Sequence, residues 1–139
     1  MGMYTELNIG VQIIGDSNVI QKLNYMLDET VQDVVIDHPL FKTNRWRHML
    51  LSDSYYFDGQ TDSKLIYDPI GNGAYYLNVR CNLKDYDGEI KHFLNWLCPY
   101  IATEGFLGYT RYEEDYVPTL IYKEDGRIEY KHVAWLKTR

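Results

Sequence analysis

The chain has 139 residues, 45 % hydrophobic and 24 % charged, which supports one globular domain with a real core and argues against a disordered chain. Its net charge of −6, from 14 basic and 20 acidic residues, argues against binding along a nucleic-acid backbone. No apolar run approaches the ~20 residues that span a bilayer, and the N-terminus lacks the basic-then-apolar pattern of a signal peptide.

Along the chain, residues 4–14 alternate. Thr5, Leu7, Ile9, Val11 and Ile13 form one face of a predicted strand; Tyr4, Glu6, Asn8, Gly10 and Gln12 form the other. Gly15-Asp16-Ser17 supplies a turn and a cap, and Val19, Ile20, Leu23, Met26 and Leu27 predict an amphipathic helix over 17–30. Residues 31–43 read two ways. Val34-Val35-Ile36 suits a short strand, but His38-Pro39 interrupts it. A short helix over 44–51 carries Trp46, Met49 and Leu50.

Three strands are expected near 54–58, 64–68 and 74–84, joined by Gly-, Asp- and Asn-rich turns in a meander. Asp87 is the expected cap of a second helix, with Ile90, Phe93, Leu94 and Leu97 as its apolar stripe and Pro99 near its end. Strands near 106–112, 118–123 and 127–136 follow, with Asp125-Gly126 as a tight hairpin turn. The order β-α-(α)-βββ-α-βββ predicts a single α+β domain over 1–139. Its sheet is mostly antiparallel, with about six or seven strands, and its two main helices and one short helix cover one face.

Leu65-Ile66-Tyr67, Gly71 and Tyr75 recur at a fixed offset as Leu120-Ile121-Tyr122, Gly126 and Tyr130. Duplication of a helix-plus-meander unit would explain the echo and requires equivalent strand order in both halves. The plainer reading is a Tyr-rich chain building two similar hairpins.

No nucleotide, hydrolase or zinc motif is present: GxxxxGK[ST], GxGxxG after a strand, GxSxG, CxxC and HExxH are all missing. His38, His48, His92 and His132 do not fall at metal-ligand spacing, so neither a metal nor a cofactor is expected. Cys81 and Cys98 lie in apolar patterns and read as buried free thiols in a reducing cytoplasm, with a structural disulfide the weaker reading. The balance leans away from an enzyme.

What remains is contact chemistry. Fourteen residues are Tyr, whose apolar ring and polar tip suit a half-buried sheet surface or a contact patch. Three groups of residues are candidates. Arg45, Trp46, Arg47, Tyr55 and Tyr56 combine interface-type anchors, against the plainer reading that Trp46 and Met49 simply pack inward. Tyr76, Asn78, Arg80 and Asn82 share the polar face of one strand. They would offer stacking and fork-shaped donors to a small anionic or nucleotide-like ligand if Glu6 and Asn8 lie alongside, or they form a wet sheet surface. Arg111, Glu113 and Glu114 lie at an acidic loop that would meet a basic partner, or are simply solvated.

Several segments also carry a resemblance. They are Tyr4-Thr5-Glu6-Leu7, His38-Pro39-Leu40-Phe41, Arg45-Trp46-Arg47-His48-Met49-Leu50, Ser52-Asp53-Ser54-Tyr55-Tyr56-Phe57, Leu77-Asn78-Val79-Arg80-Cys81-Asn82-Leu83-Lys84, Phe106-Leu107-Gly108-Tyr109-Thr110-Arg111-Tyr112-Glu113-Glu114 and Pro118-Thr119-Leu120-Ile121-Tyr122. Together they resemble small proteins encoded by bacteriophages and prophages of low-GC Gram-positive bacteria. The resemblance implies a viral accessory protein in a bacterial host cytoplasm; it brings no catalytic residue or cofactor with it. The expectation is a non-enzymatic binder of a host or phage protein, with inhibition of bacterial defence as its role. A binder of a nucleotide-derived signal is the alternative, and a homodimer is compatible with both.

Overall fold

The computed structural model describes residues 4–50, 63–70 and 73–132, so the expected strand over 54–58 lies outside the described residues. In chain order the elements are β1 (Thr5–Ile13), α1 (Ser17–Leu27), β2 (Lys64–Asp68), β3 (Ala74–Leu83), α2 (Glu89–Leu97), β4 (Gly105–Tyr112), β5 (Thr119–Glu124) and β6 (Arg127–His132). Short 3-10 turns occupy Pro39–Lys42, Trp46–His48 and Cys98–Tyr100. The six strands form one sheet in the order β2-β3-β1-β4-β5-β6, with every pairing antiparallel. This is the expected α+β architecture, with one rearrangement: β1 lies at the centre, between β3 and β4.

Alternation in β1 and β3 explains the layering. Leu7, Ile9, Val11 and Ile13 of β1 pair across from Cys81, Val79, Leu77 and Tyr75 of β3. These residues join Val19, Leu23 and Met26 of α1 and Ile90, Phe93, Leu94 and Leu97 of α2 in one core. Both helices therefore cover the same sheet face. Cys81 and Cys98 are buried free thiols.

Asp16 caps α1 through Oδ1, which accepts from the N–H groups of Asn18 and Val19. The helix stops at Leu27, earlier than expected. Asp28 Oδ1 accepts from both the Thr30 N–H and the Thr30 hydroxyl, a local turn that competes with another helical turn. Lys22 lies on the buried stripe between Val19 and Met26 and is 3 % exposed. Its ammonium donates to Asp33 Oδ1 and to the Val34 carbonyl, both at 2.9 Å. The Trp46 and Phe41 rings lie 4.5 and 4.6 Å from it. This contact draws residues 33–34 onto α1 without strand pairing, which settles the two readings of Val34-Val35-Ile36 against a strand.

The second helix is not capped by Asp87. Gly88 occupies the cap position with φ 72°, and Asp85 Oδ1 reaches forward to the Ile90 N–H at 2.9 Å. Asp87 and the buried Glu89 instead accept from the backbone N–H groups of Asn44 and Arg45, both at 3.0 Å. Two acids at the start of α2, Asp87 and Glu89, thus staple the chain entering the Trp46–His48 turn.

Strand β4 carries a bulge between Phe106 and Gly108, where Leu107 is the extra residue. At Gly108 (φ 153°) a Cβ would lie 2.0 Å from the Asn8 carbonyl oxygen, so only glycine lets β4 approach β1 here. Asp125 and Gly126, both at positive φ, form the two-residue turn between Glu124 and Arg127.

The two echoed hairpins are not equivalent. The Leu65 strand is the outermost described strand on its side, whereas the Leu120 strand is internal. Tyr75 pairs with Tyr67, but its counterpart Tyr130 pairs with Ile121 rather than Tyr122. Turns of different length shift the register by one residue, so the echo reflects similar local chemistry and not a repeated unit.

Candidate functional site

The uncovered sheet face carries the second candidate group. Register sets Tyr76 opposite Gln12, Asn78 opposite Gly10, Arg80 opposite Asn8 and Asn82 opposite Glu6. Glu6 and Asn8 therefore do lie alongside this strand. Pairing extends the rows through Arg111 and Tyr109 of β4, then Leu120 of β5 and Lys131 of β6. Arg111 Nε donates to Glu6 Oε1 at 3.3 Å, and its Nη1 donates to the Asp115 carbonyl. Tyr76, Asn78, Arg80 and Gly10 are exposed. Farther along, Phe106 packs edge-on against Tyr122, and Lys131 sits 4.2 Å from the Tyr122 ring centroid. The carboxylate of Glu124 beside Lys131 holds that ammonium above its ordinary pKa. The face is a sheet surface of Tyr, Asn and Arg with both signs of charge.

The first candidate group divides. Trp46 is 7 % exposed and packs edge-on against Phe41 and obliquely against Tyr25, so its ring is committed to the core with Met49. The Arg45 guanidinium stacks over Tyr86, and exposed Arg47 covers the outer side of Trp46. Tyr55 and Tyr56 lie outside the described residues. In the third group, Glu113 closes the end of the β1–β4 pair. Its N–H donates to the Tyr4 carbonyl, and its carboxylate accepts from the Tyr4 N–H. Glu114 is exposed. Desolvation, followed by the charges of Glu114 and Glu113, pushes the Tyr112 hydroxyl above its ordinary pKa.

Among the described residues, two cavities lie on the helix side of the sheet. One, of about 630 Å³, runs along α1 between Ile20, Leu27, Val31 and Tyr75. The other is a cleft of about 280 Å³ between the start of α2 and strands β4–β6, with Asp85, Lys91, Thr119, Tyr130 and His132 in its walls. Burial pushes the Asp85 carboxyl up to about 6, helped by the Glu89 charge and opposed by the Ile90 N–H. Burial likewise pushes the Tyr130 hydroxyl up to about 12. Tyr130 Oη is buried and has no hydrogen-bond partner among the described residues. Sequence reading missed this cluster. Its signal was the parity of β6, which turns Tyr130 and His132 to the helix side with Ile128.

Thr119 Oγ1 lies 3.2 Å from His132 Nδ1 across the β5–β6 pair. No carboxylate hydrogen bond orients this imidazole among the described residues, so the pair lacks the third member of a nucleophile relay. Nor, among the described residues, do three or more His, Cys, Asp or Glu gather in a metal-holding group. No described helix is long and apolar enough to cross a membrane. No protein-family model, curated protein or solved structure matches the chain.

Proposed function

We propose that this chain is a non-enzymatic accessory protein of a bacteriophage or prophage that binds a host or phage protein through its open sheet face. The supporting observation is the composition of that face. The row Arg80–Asn8–Tyr109–Leu120–Lys131 crosses five strands, flanked by Tyr76 and by the Glu6–Arg111 pair. Tyr and Arg are the residues most enriched where proteins bury contact area, and interspersed charge selects a partner surface of mixed sign. The resemblance to phage-encoded proteins supplies the setting, a bacterial host cytoplasm, and inhibition of a defence protein is the role such a binder would serve.

Affinity capture from host cells, with the wild-type chain and a Tyr76→Ala/Arg80→Ala double variant, tests the reading. The expected result is a specific host or phage protein retained by the first and lost by the second. Recovery of the same proteins by both would reject this face.

A further inference from the structure

We propose that the cleft between the start of α2 and strands β4–β6 binds a small zwitterionic molecule of the α-amino-acid type. Its ammonium would sit between Asp85 and Tyr130, and its carboxylate beside Lys91.

Four observations carry this. The cleft holds about 280 Å³, at the small end for metabolite sites and ample for a single amino acid. Tyr130 lines it, and the Tyr130 Oη is buried with no hydrogen-bond partner among the described residues, although a phenol normally finds one when it leaves water. The Asp85 carboxylate caps the Ile90 N–H, and its remaining lone pairs can accept from a second donor. The charges are balanced in kind. Asp85 and Asp115 are acidic, Lys91 is basic, and Thr119 paired with His132 adds hydrogen-bonding capacity on the sheet side.

A simple anion would meet two carboxylates, and a simple cation would meet Lys91. A ligand with both charges satisfies both. Lys91 now lies 5.6 Å from the centroid of the Tyr130 ring, at the rim, where it can turn to a ligand carboxylate without leaving the aromatic surface.

The test is titration of the full chain, followed by backbone amide NMR, with each common α-amino acid at up to about 10 mM, a range that detects millimolar affinity. Two control probes accompany it: ethanolamine, an amine without the carboxylate, and propionate, a carboxylate without the amine. At least one amino acid should shift the signals of Ile90, Lys91 and Tyr130, and both control probes should bind more weakly. Asp85→Asn, which keeps an acceptor for Ile90, and Tyr130→Phe, which removes only the hydroxyl, should each weaken binding about tenfold or more, the worth of a charge-assisted hydrogen bond. Unshifted signals at the highest concentration would overturn the proposal. So would wild-type affinity in either variant, or equal binding of ethanolamine or propionate.

Discussion

The ammonium of Lys22 lies 2.9 Å from Asp33 Oδ1 while its stem sits in the hydrophobic core, so one side chain ties α1 to the connection that follows it. Asp33 is 36 % exposed, and water can take over its side of the pair. Lys22→Ala should therefore cost about 2–4 kcal/mol, mostly through the cavity and the lost contacts with Phe41 and Trp46. Lys22→Met keeps the stem and should cost about half as much. Urea unfolding of the two variants checks both the loss and its order.

Asp85 gives stability a pH dependence of opposite sign to that of a salt-bridged carboxylate. Its folded pKa of about 6 lies above the unfolded value of 3.8, so the native state holds the proton more tightly. Stability contributed by this group is greatest below the unfolded value and falls as pH rises through the window from about 4 to 6. Asp85→Asn should remove that fall. Unfolding free energies of both proteins at closely spaced pH values should diverge across the window and run parallel above it; parallel behaviour throughout would contradict the assignment.

Tyr130→Phe should leave stability unchanged or raise it by about 1 kcal/mol, because the deleted hydroxyl is buried with no hydrogen-bond partner among the described residues. A thermal melt with the ligand-free protein measures this. Substantial destabilisation would mean that the hydroxyl has a structural partner.

Two glycines on β1 and β4 should respond differently to alanine. Gly108→Ala drives a Cβ to 2.0 Å from Asn8 O and 2.7 Å from Ile9 Cα, both fixed backbone, and should cost about 4 kcal/mol or more. Gly10→Ala meets only Asn78 Oδ1 at 3.0 Å, the end of a side chain that can swing away, and should stay within about 1 kcal/mol. Expression level and chemical unfolding of the pair separate the two cases.

Local pattern carried much of this fold. Period-two alternation placed β1 and β3, and Asp125-Gly126 placed the last turn within a residue. Pairing partners were less legible, because alternation says which face is buried and not which strand lies beside it; hence β1 at the centre was not foreseen. Asp87 read as the cap by position alone, whereas the positive φ of Gly88 lets the more distant Asp85 reach the helix. The burial of Lys22 was not legible in the stripe of Val19, Ile20, Leu23, Met26 and Leu27. The residue's position between Val19 and Met26 was the available clue, but the carboxylate and rings that accommodate it lie on other elements. The Asp85–Tyr130 cleft joins residues from the start of α2 and the end of β6, a proximity that no spacing rule encodes.

The position of β1 also bears on synthesis. Its two neighbours in the sheet begin at Ala74 and Gly105, so β1 is synthesised well before either strand that flanks it. Such long-range closure slows folding relative to a helical bundle of similar size and leaves an apolar segment exposed meanwhile. Until those strands emerge, the nascent polypeptide carries an unshielded Leu7-to-Ile13 stretch.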